Sequence, residues 1–324
     1  MEEIKISIII PIYNVELYIK QCLESVERQT ETYGIECLLI DDRGQDKSFQ
    51  VAHDYVEYYN LSHIENTGIS FRIIRHDKNL GLSEARNTGI REARGKYIYF
   101  LDSDDTIAPD CMQEMLRLIE KYRGVDMVIG NNDISDILCI PFGEYTEDPE
   151  LIIKNLLFFN GRAVAAQRHM IRKDIIINNR LSFYSGIIHE DNLWTFMLSK
   201  FIKSIAFSTK DLYNYSKDNP NSIMRSKKID KEVKAYRTII KNCCANIYSY
   251  KKGIQKEYIL SNLQIAINSH YYTNEEDRIS LIYSFADICT LPEKILLKSY
   301  FVCRNKFVKR VSLSLLHKLF CLNG

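Results

Sequence analysis

A chain of 324 residues that is 46% hydrophobic can bury one large domain, or a domain of about 200 residues plus a smaller one. The formal net charge of +1 argues neither for nor against a nucleic-acid partner, and no apolar run approaches the roughly 20 residues needed to span a bilayer. Nine cysteines without paired metal spacing read as reduced thiols of a cytosolic protein, and the acidic start Met1-Glu2-Glu3 does not fit a secretory signal.

In chain order, Ile6 to Ile12 reads as an apolar strand, followed by a helical pattern through Gln29 with Ile19, Cys22, Leu23 and Val26 on one face. Glu36 to Ile40 is a second strand ending in Asp41-Asp42. Lys47 to Tyr59 reads as a helix, Phe71 to Ile74 as a strand, Ser83 to Ala93 as a helix and Lys96 to Leu101 as a buried strand ending in Asp102-Ser103-Asp104-Asp105. This alternation predicts an α/β fold with a mostly parallel, doubly wound sheet. Pro109 to Lys121 is a helix opened by Pro109, with a methionine stripe that reads as packing. Met127 to Gly130 is a further strand, Asp148-Pro149 caps a helix, and Ala163 to Ile171 adds a strand lining the site from the far side. Glu190-Asp191 opens an amphipathic helix carrying Leu193, Phe196 and Met197.

Two strands thus end in carboxylates on one rim, where open α/β sheets bind ligands. Alternation lets Asp102 and Asp104 point to the same side, and hard oxygen ligands suit Mg²⁺ or Mn²⁺; a solvated acidic turn is the competing account. Between them, Asn79-Leu80-Gly81 enters a helix whose N-terminus favours an anion. Arg86 in its first turn is read either as a phosphate contact or as a surface arginine pairing with Glu84 or Asp110. Glu190-Asp191 alone reads as a charge pair at a helix N-terminus. Neither a G-x-x-x-x-G-K-[ST] loop nor a G-x-G-x-x-G after the first strand is present, which counts against a P-loop NTPase and a dinucleotide enzyme.

Ser216 to Lys228 breaks periodicity and divides an α/β unit, residues 1–225, from a helical region, residues 226–324. After Glu293 every charged side chain is basic, including Lys294, Lys298, Arg304, Lys306, Lys309, Arg310 and Lys318. Val308, Val311, Leu315 and Leu319 recur at helical spacing, flanked by Phe307, Leu316 and Phe320. Such a helix either lies on an anionic membrane surface or docks on the domain or on a second copy in a homodimer.

The order of Ile8-Ile9-Ile10-Pro11-Ile12-Tyr13-Asn14, Leu39-Ile40-Asp41-Asp42 with Asp46-Lys47-Ser48, Asn79-Leu80-Gly81 through Ala85-Arg86-Asn87-Thr88-Gly89-Ile90, Phe100-Leu101-Asp102-Ser103-Asp104-Asp105 and Glu190-Asp191 resembles the inverting glycosyltransferases of family 2 with the GT-A fold. The resemblance covers roughly residues 4 to 225. It implies a hexosyl- or N-acetylhexosaminyl-transferase that moves sugar from a nucleotide-sugar donor, a UDP-sugar, to a saccharide or lipid-linked saccharide. It implies no nucleic-acid partner, and a place in capsule, lipopolysaccharide or cell-wall assembly, in the cytoplasm or peripherally on the inner face of the membrane.

Carried over residue by residue, the resemblance places Pro11 and Tyr13 at the nucleotide end of the first strand. Asp42 would accept from the base with Asp41 supporting it, and Arg86 and Ser103 would lie along the donor. Asp102 would face the ribose beside the cation, and Asp104 would hold that Mn²⁺ or Mg²⁺ against the diphosphate. Asp191 would be the general base with Glu190 beside it, and Tyr213-Asn214-Tyr215 with Asn221-Ser222-Ile223 would close the site. The sequence departs from relatives at Arg43-Gly44-Gln45 and at Ala163 to Arg168, where acceptor preference is expected to differ. Asp102-x-Asp104-x-Thr106 also spells the motif of aspartate-nucleophile phosphatases, in which Asp102 would attack phosphorus. A non-catalytic sugar-nucleotide-binding module is the third reading.

Overall fold

The computed structural model describes residues 4–31, 33–62, 68–131, 143–158, 165–216, 229–268, 275–302 and 306–322. The apolar runs at the start of the chain form the parallel strands β1 (Ile6–Ile12), β2 (Ile35–Asp41), β3 (Ser70–Arg75) and β4 (Tyr97–Phe100). They are joined by α1 (Ile19–Glu27), α2 (Ser48–Ser62) and α3 (Leu82–Glu92). Further on come β5 (Thr106–Ile107), α4 (Cys111–Lys121), β6 (Met127–Asn131), β7 (Tyr145–Thr146), α5 (Pro149–Phe158), β8 (His169–Arg172), α6 (Lys173–Asn178), α7 (Glu190–Leu198), β9 (Ile205–Asp211) and β10 (Tyr213–Asn214). The main sheet runs β3-β2-β1-β4-β8-β6-β9-β7, while β10 and β5 pair separately.

Because side chains alternate along a strand, each strand feeds two cores. Ile8, Ile10, Leu39 and Tyr99 face α1, α2 and α4, while Ile9, Leu38, Ile98 and Phe100 face α3, α5 and α7. Gly89 lets α3 lie directly on β1, since a Cβ there would come 2.3 Å from Ile9 Cγ2.

The sheet is mostly parallel, as expected, with antiparallel members: β8 pairs antiparallel with both β4 and β6, and β7 pairs antiparallel with β9. Two expectations need correcting. The strand expected over Ala163 to Ile171 is an internal strand of the main sheet, starting at His169; Ala163 and Val164 lie outside the described residues. Pro109 does not open α4. The helix starts at Cys111, because Pro109 sits in the turn that precedes it, its carbonyl accepting from Thr30 N at 2.9 Å. Asp148 does cap α5, its Oδ1 accepting from the backbone N–H of Glu150 and Leu151.

The remainder is helical: α8 (Ile229–Ala245), α9 (Lys252–Asn268), α10 (Glu275–Ala286), α11 (Leu291–Val302) and α12 (Lys306–Leu322). Their core is continuous with the α/β unit, since Ile153 and Leu157 of α5 and Leu193 and Phe196 of α7 join Ile239, Leu263, Phe285, Leu316 and Phe320. The last helix is docked on this bundle. Leu316 and Phe320 are buried while Leu315 is exposed, so the packed face is turned from the one the spacing suggested. The expected boundary at residue 225, the segment Asn221-Ser222-Ile223 and Arg304 fall outside the described residues. No described helix is long and apolar enough to cross a membrane.

Candidate active site

One rim of the sheet gathers the ends of β1, β2 and β4. Pro11 is buried within β1, and Tyr13 just beyond it is 46% exposed. The β1 and β2 loops are tied together: Asn14 Oδ1 accepts from Gln45 N at 2.7 Å, Ser48 Oγ from Val15 N at 2.7 Å and Asp46 from Glu16 N at 3.0 Å. Asp41 is buried and ion-paired with Arg75 Nε at 2.7 Å.

Asp42 is buried and fully engaged by the protein. Its Oδ1 faces His76 Nδ1 at 2.8 Å and accepts from Leu80 N at 2.7 Å, while its Oδ2 accepts from Gly81 N at 2.8 Å and Asn79 Nδ2 at 3.0 Å. Gly81 takes φ +91°, a conformation open to glycine. The glycine turn at the head of α3 therefore does bind an anion, and that anion is the chain's own Asp42 carboxylate.

Arg86 is neither at the surface nor paired with Glu84 or Asp110. It is 1% exposed, and its guanidinium donates from Nη1 to Glu190 Oε1 at 2.8 Å and Asp191 Oδ1 at 3.0 Å, and from Nη2 to Asp102 Oδ1 at 2.9 Å. Its cationic carbon lies 5.2 Å from the Phe183 ring centroid, and Phe183 stacks on Trp194. Burial opposes the charge, but Asp191, Asp102 and Glu190 together raise the guanidinium pKa above its ordinary value. One side chain thus joins the end of β4 to the start of α7, 88 residues apart by the difference between Asp102 and Glu190.

Ser103 is buried, whereas Asp102 and Asp104 are half-buried. Asp105, overlooked in the sequence as a member of the site, is buried and accepts from the Tyr213 hydroxyl and, at 2.7 Å, from Ser216 N. Burial, with Asp102 and Asp104 adding to it, raises its pKa to about 7. It thereby fastens β10 beside the acidic rim. The signal for this was Tyr213, an aromatic with a polar tip in a short strand.

Burial likewise raises Asp191 to about 7; Arg86 works against that shift, while Glu190, Asp102 and the Ala166 backbone N–H modulate it. The turn before it places His189 in the left-handed region at φ 57°, its Nε2 2.9 Å from Glu232 of α8. Asn192, next to Asp191, is held twice by α9: its carbonyl accepts from the Tyr258 hydroxyl at 2.9 Å, and its Nδ2 donates to Asn262 at 3.0 Å. Sequence reasoning did not link these helices to the Glu190-Asp191 turn, because nothing local in Glu232, Tyr258 or Asn262 marks their partner.

The charge balance fits a divalent cation. Three carboxylates, Asp102, Glu190 and Asp191, meet the buried Arg86 guanidinium, Asp104 and Asp105 follow Asp102 in the chain, and Asp102 and Asp104 carry the hard oxygens such an ion prefers. Among the described residues these two belong to no cluster of three ligating groups.

A mixed α/β sheet whose carboxylate rim is cross-linked to an acidic helix start is the class of architecture here. The sequence matches the glycosyl transferase family 2 profile over residues 7–178, and the chain belongs to that family. It is 33% identical to the putative glycosyltransferase EpsH of Bacillus subtilis over 226 residues, which is 66% of this chain and 61% of that protein, so the match spans less than two thirds of that relative. Its fold is similar to S. aureus TarS 1-349 in complex with UDP-GlcNAc, with a TM-score of 0.69 at 17% identity over 99% of this chain and 92% of that one. It is also similar to the mannosyltransferase PcManGT from Pyrobaculum calidifontis in complex with GDP-Man and Mn²⁺, with a TM-score of 0.57 at 12% identity over 98% and 85%. Within this family the Asp102-x-Asp104-x-Thr106 phosphatase reading lapses: the motif ends the fourth strand, and Asp102 is bound by Arg86.

Proposed function

We propose that the protein transfers a sugar, with inversion, from a nucleotide-sugar donor to a hydroxyl of a saccharide or lipid-linked saccharide during cell-surface polysaccharide synthesis. The observation that carries this reading is the Arg86 bridge, which sets Asp191 and Glu190 against Asp102 across one cleft. The nucleotide lies on the β1 and β2 ends, with Tyr13 exposed beside it and Asp102 toward the ribose. The four donors on Asp42 fill both its oxygens, so a base N–H that reaches this carboxylate, as a uracil would, displaces one of them. Asp104, with Asp102, would hold Mn²⁺ or Mg²⁺, which neutralises charge developing on the leaving diphosphate.

Asp191 takes the proton of the acceptor hydroxyl as its oxygen bonds to the anomeric carbon and the bond from that carbon to the diphosphate oxygen breaks. A carboxylate raised to about 7 suits that task, because it is a stronger base than an ordinary aspartate yet still ionised in good part at neutral pH. A lipid-linked acceptor is supported by α11, where Leu291, Ile295 and Lys298 share one exposed face beside Lys294, a surface suited to an anionic membrane.

The test is thermal stabilisation by UDP, GDP, CMP and their sugar conjugates with and without Mn²⁺, since ligand bound at 100 times its Kd stabilises by about 2.7 kcal/mol. We expect a rise in Tm with one uridine nucleotide and metal together, lost in Asp104→Ala. A flat response to every nucleotide would overturn the reading.

A further inference from the structure

The edge of the sheet opposite the candidate site carries a second cleft, of about 950 Å³, between the α/β unit and the turn that joins α8 to α9. Its floor is made where β6 and β9 begin and β8 ends, at Asp126, Ser204 and Arg172. Its volume is at the upper end of ligand pockets, and its lining is unlike an ordinary solvated groove.

Arg123, Lys200 and Lys203 line it and make no ion pair with any described residue. Of its two carboxylates, Asp126 is already neutralised by Arg172 at 2.9 Å, which leaves Glu147 alone against three cations. Tyrosines lie among these charges: Tyr122 and Tyr145 stack on each other with centroids 4.3 Å apart, Lys200 lies over Tyr248, and Tyr250 is 46% exposed. Cations beside flat tyrosine faces match a chain that offers anions and apolar sugar faces in turn.

We propose that this cleft is a second binding site, for an anionic glycan or polyol chain bearing phosphate or carboxylate groups. It rests on the transferase reading only for its consequence. The helix α7 runs from Glu190 at the candidate site to Leu198, and its C-cap Ser199 lines the cleft, about 14 Å away at 1.5 Å per residue. A polymeric acceptor held at the cleft is tethered near the base, which raises its effective concentration there without any new contact to the reacting hydroxyl.

The experiment is affinity electrophoresis of the full chain through gels containing poly(glycerol phosphate), hyaluronate, uncharged dextran or poly(U) RNA, comparing wild type with Arg123→Glu/Lys203→Glu. We expect binding to one or both anionic chains, little retardation by dextran, and an affinity at least about tenfold weaker in the double variant, whose reversed charges repel the ligand. The poly(glycerol phosphate) and hyaluronate arms separate phosphate from carboxylate recognition. Equal retardation of wild type and variant, no binding to either anionic chain, equal binding to dextran, or tighter binding to poly(U) would each overturn the proposal. Because neither donor nor turnover enters the measurement, a failed transferase reading leaves its outcome legible.

Discussion

The two walls of the candidate site are built by different means. The proposed donor wall is made of strand ends from one sheet: Pro11, Asp41, Asp42 and Asp102 all emerge within the first third of the chain, and Asp41, Asp42 and Asp102 are held by Arg75, the turn of Asn79 to Gly81, and Arg86. The proposed base wall is the first turn of α7, and it is fixed from outside the sheet by Glu232, Tyr258 and Asn262 of α8 and α9. Arg86 spans the gap. Under the proposed roles, donor binding would depend on the sheet, while turnover would depend also on the helices that hold the first turn of α7.

The sharpest way to break this arrangement is Arg86→Met, which strikes both walls at once. It leaves Asp102, Glu190 and Asp191 without their shared cation, and removing one partner from a buried ion pair costs about 3–5 kcal/mol. We expect a large fall in Tm together with loss of nucleotide binding and turnover. A variant that melts like the wild type would show that the bridge is dispensable.

Asp191→Asn separates the walls instead. The amide keeps its shape but cannot take a proton, so turnover should fall by about 10²–10⁴-fold while nucleotide-dependent stabilisation persists. If turnover stays near the wild-type value, the base lies elsewhere, with Glu190 next in line.

The pH dependence sharpens the same distinction. Asp191, raised from 3.8 to about 7, works only when ionised, so kcat should climb about tenfold per pH unit below 7 and level off above it, while donor affinity changes little. For stability the sign is opposite. The native state binds this proton more tightly than the unfolded chain, so the contribution is complete below pH 3.8 and is lost as pH rises through about 7. A flat kcat profile between pH 5 and 8 would remove Asp191 as the titrating base.

The asymmetry between the walls also explains what was legible in the sequence. The strands β1 to β4 announce themselves as apolar runs, two of them ending in acids, and their order suffices to predict a doubly wound sheet with an acidic rim. A strand was expected where β8 lies, but its antiparallel place inside the sheet was not legible, because a four-residue strand in the middle of a sheet differs from an edge strand only in its partners. Nor was the anion at the α3 turn. The signature said that one binds, but it could not say that Asp42 supplies it. Arg86 left one usable clue in the mostly small residues around it, Ser83, Ala85, Asn87, Thr88 and Gly89, which suit a closely packed helix; the structure buries them all, and an arginine among them needs carboxylates inside.

The smallest effect tests the least legible part. Tyr258→Phe removes only the hydroxyl that donates to the Asn192 carbonyl, a hydrogen bond with a net worth of about 1 kcal/mol, and keeps the ring packed against Phe196. If α9 does no more than cap the domain, this loss should appear in Tm and nowhere else. If it positions the base, kcat should drop several-fold while nucleotide-dependent stabilisation stays at the wild-type value, because the donor wall is untouched. Leu316→Ala provides the necessary contrast. It opens a cavity in the same helical core and should cost about 2–5 kcal/mol, yet it breaks no bond to α7. A kcat loss in Tyr258→Phe that exceeds the loss in the less stable Leu316→Ala would assign the effect to the hydrogen bond. The reverse order would reduce α9 to a scaffold.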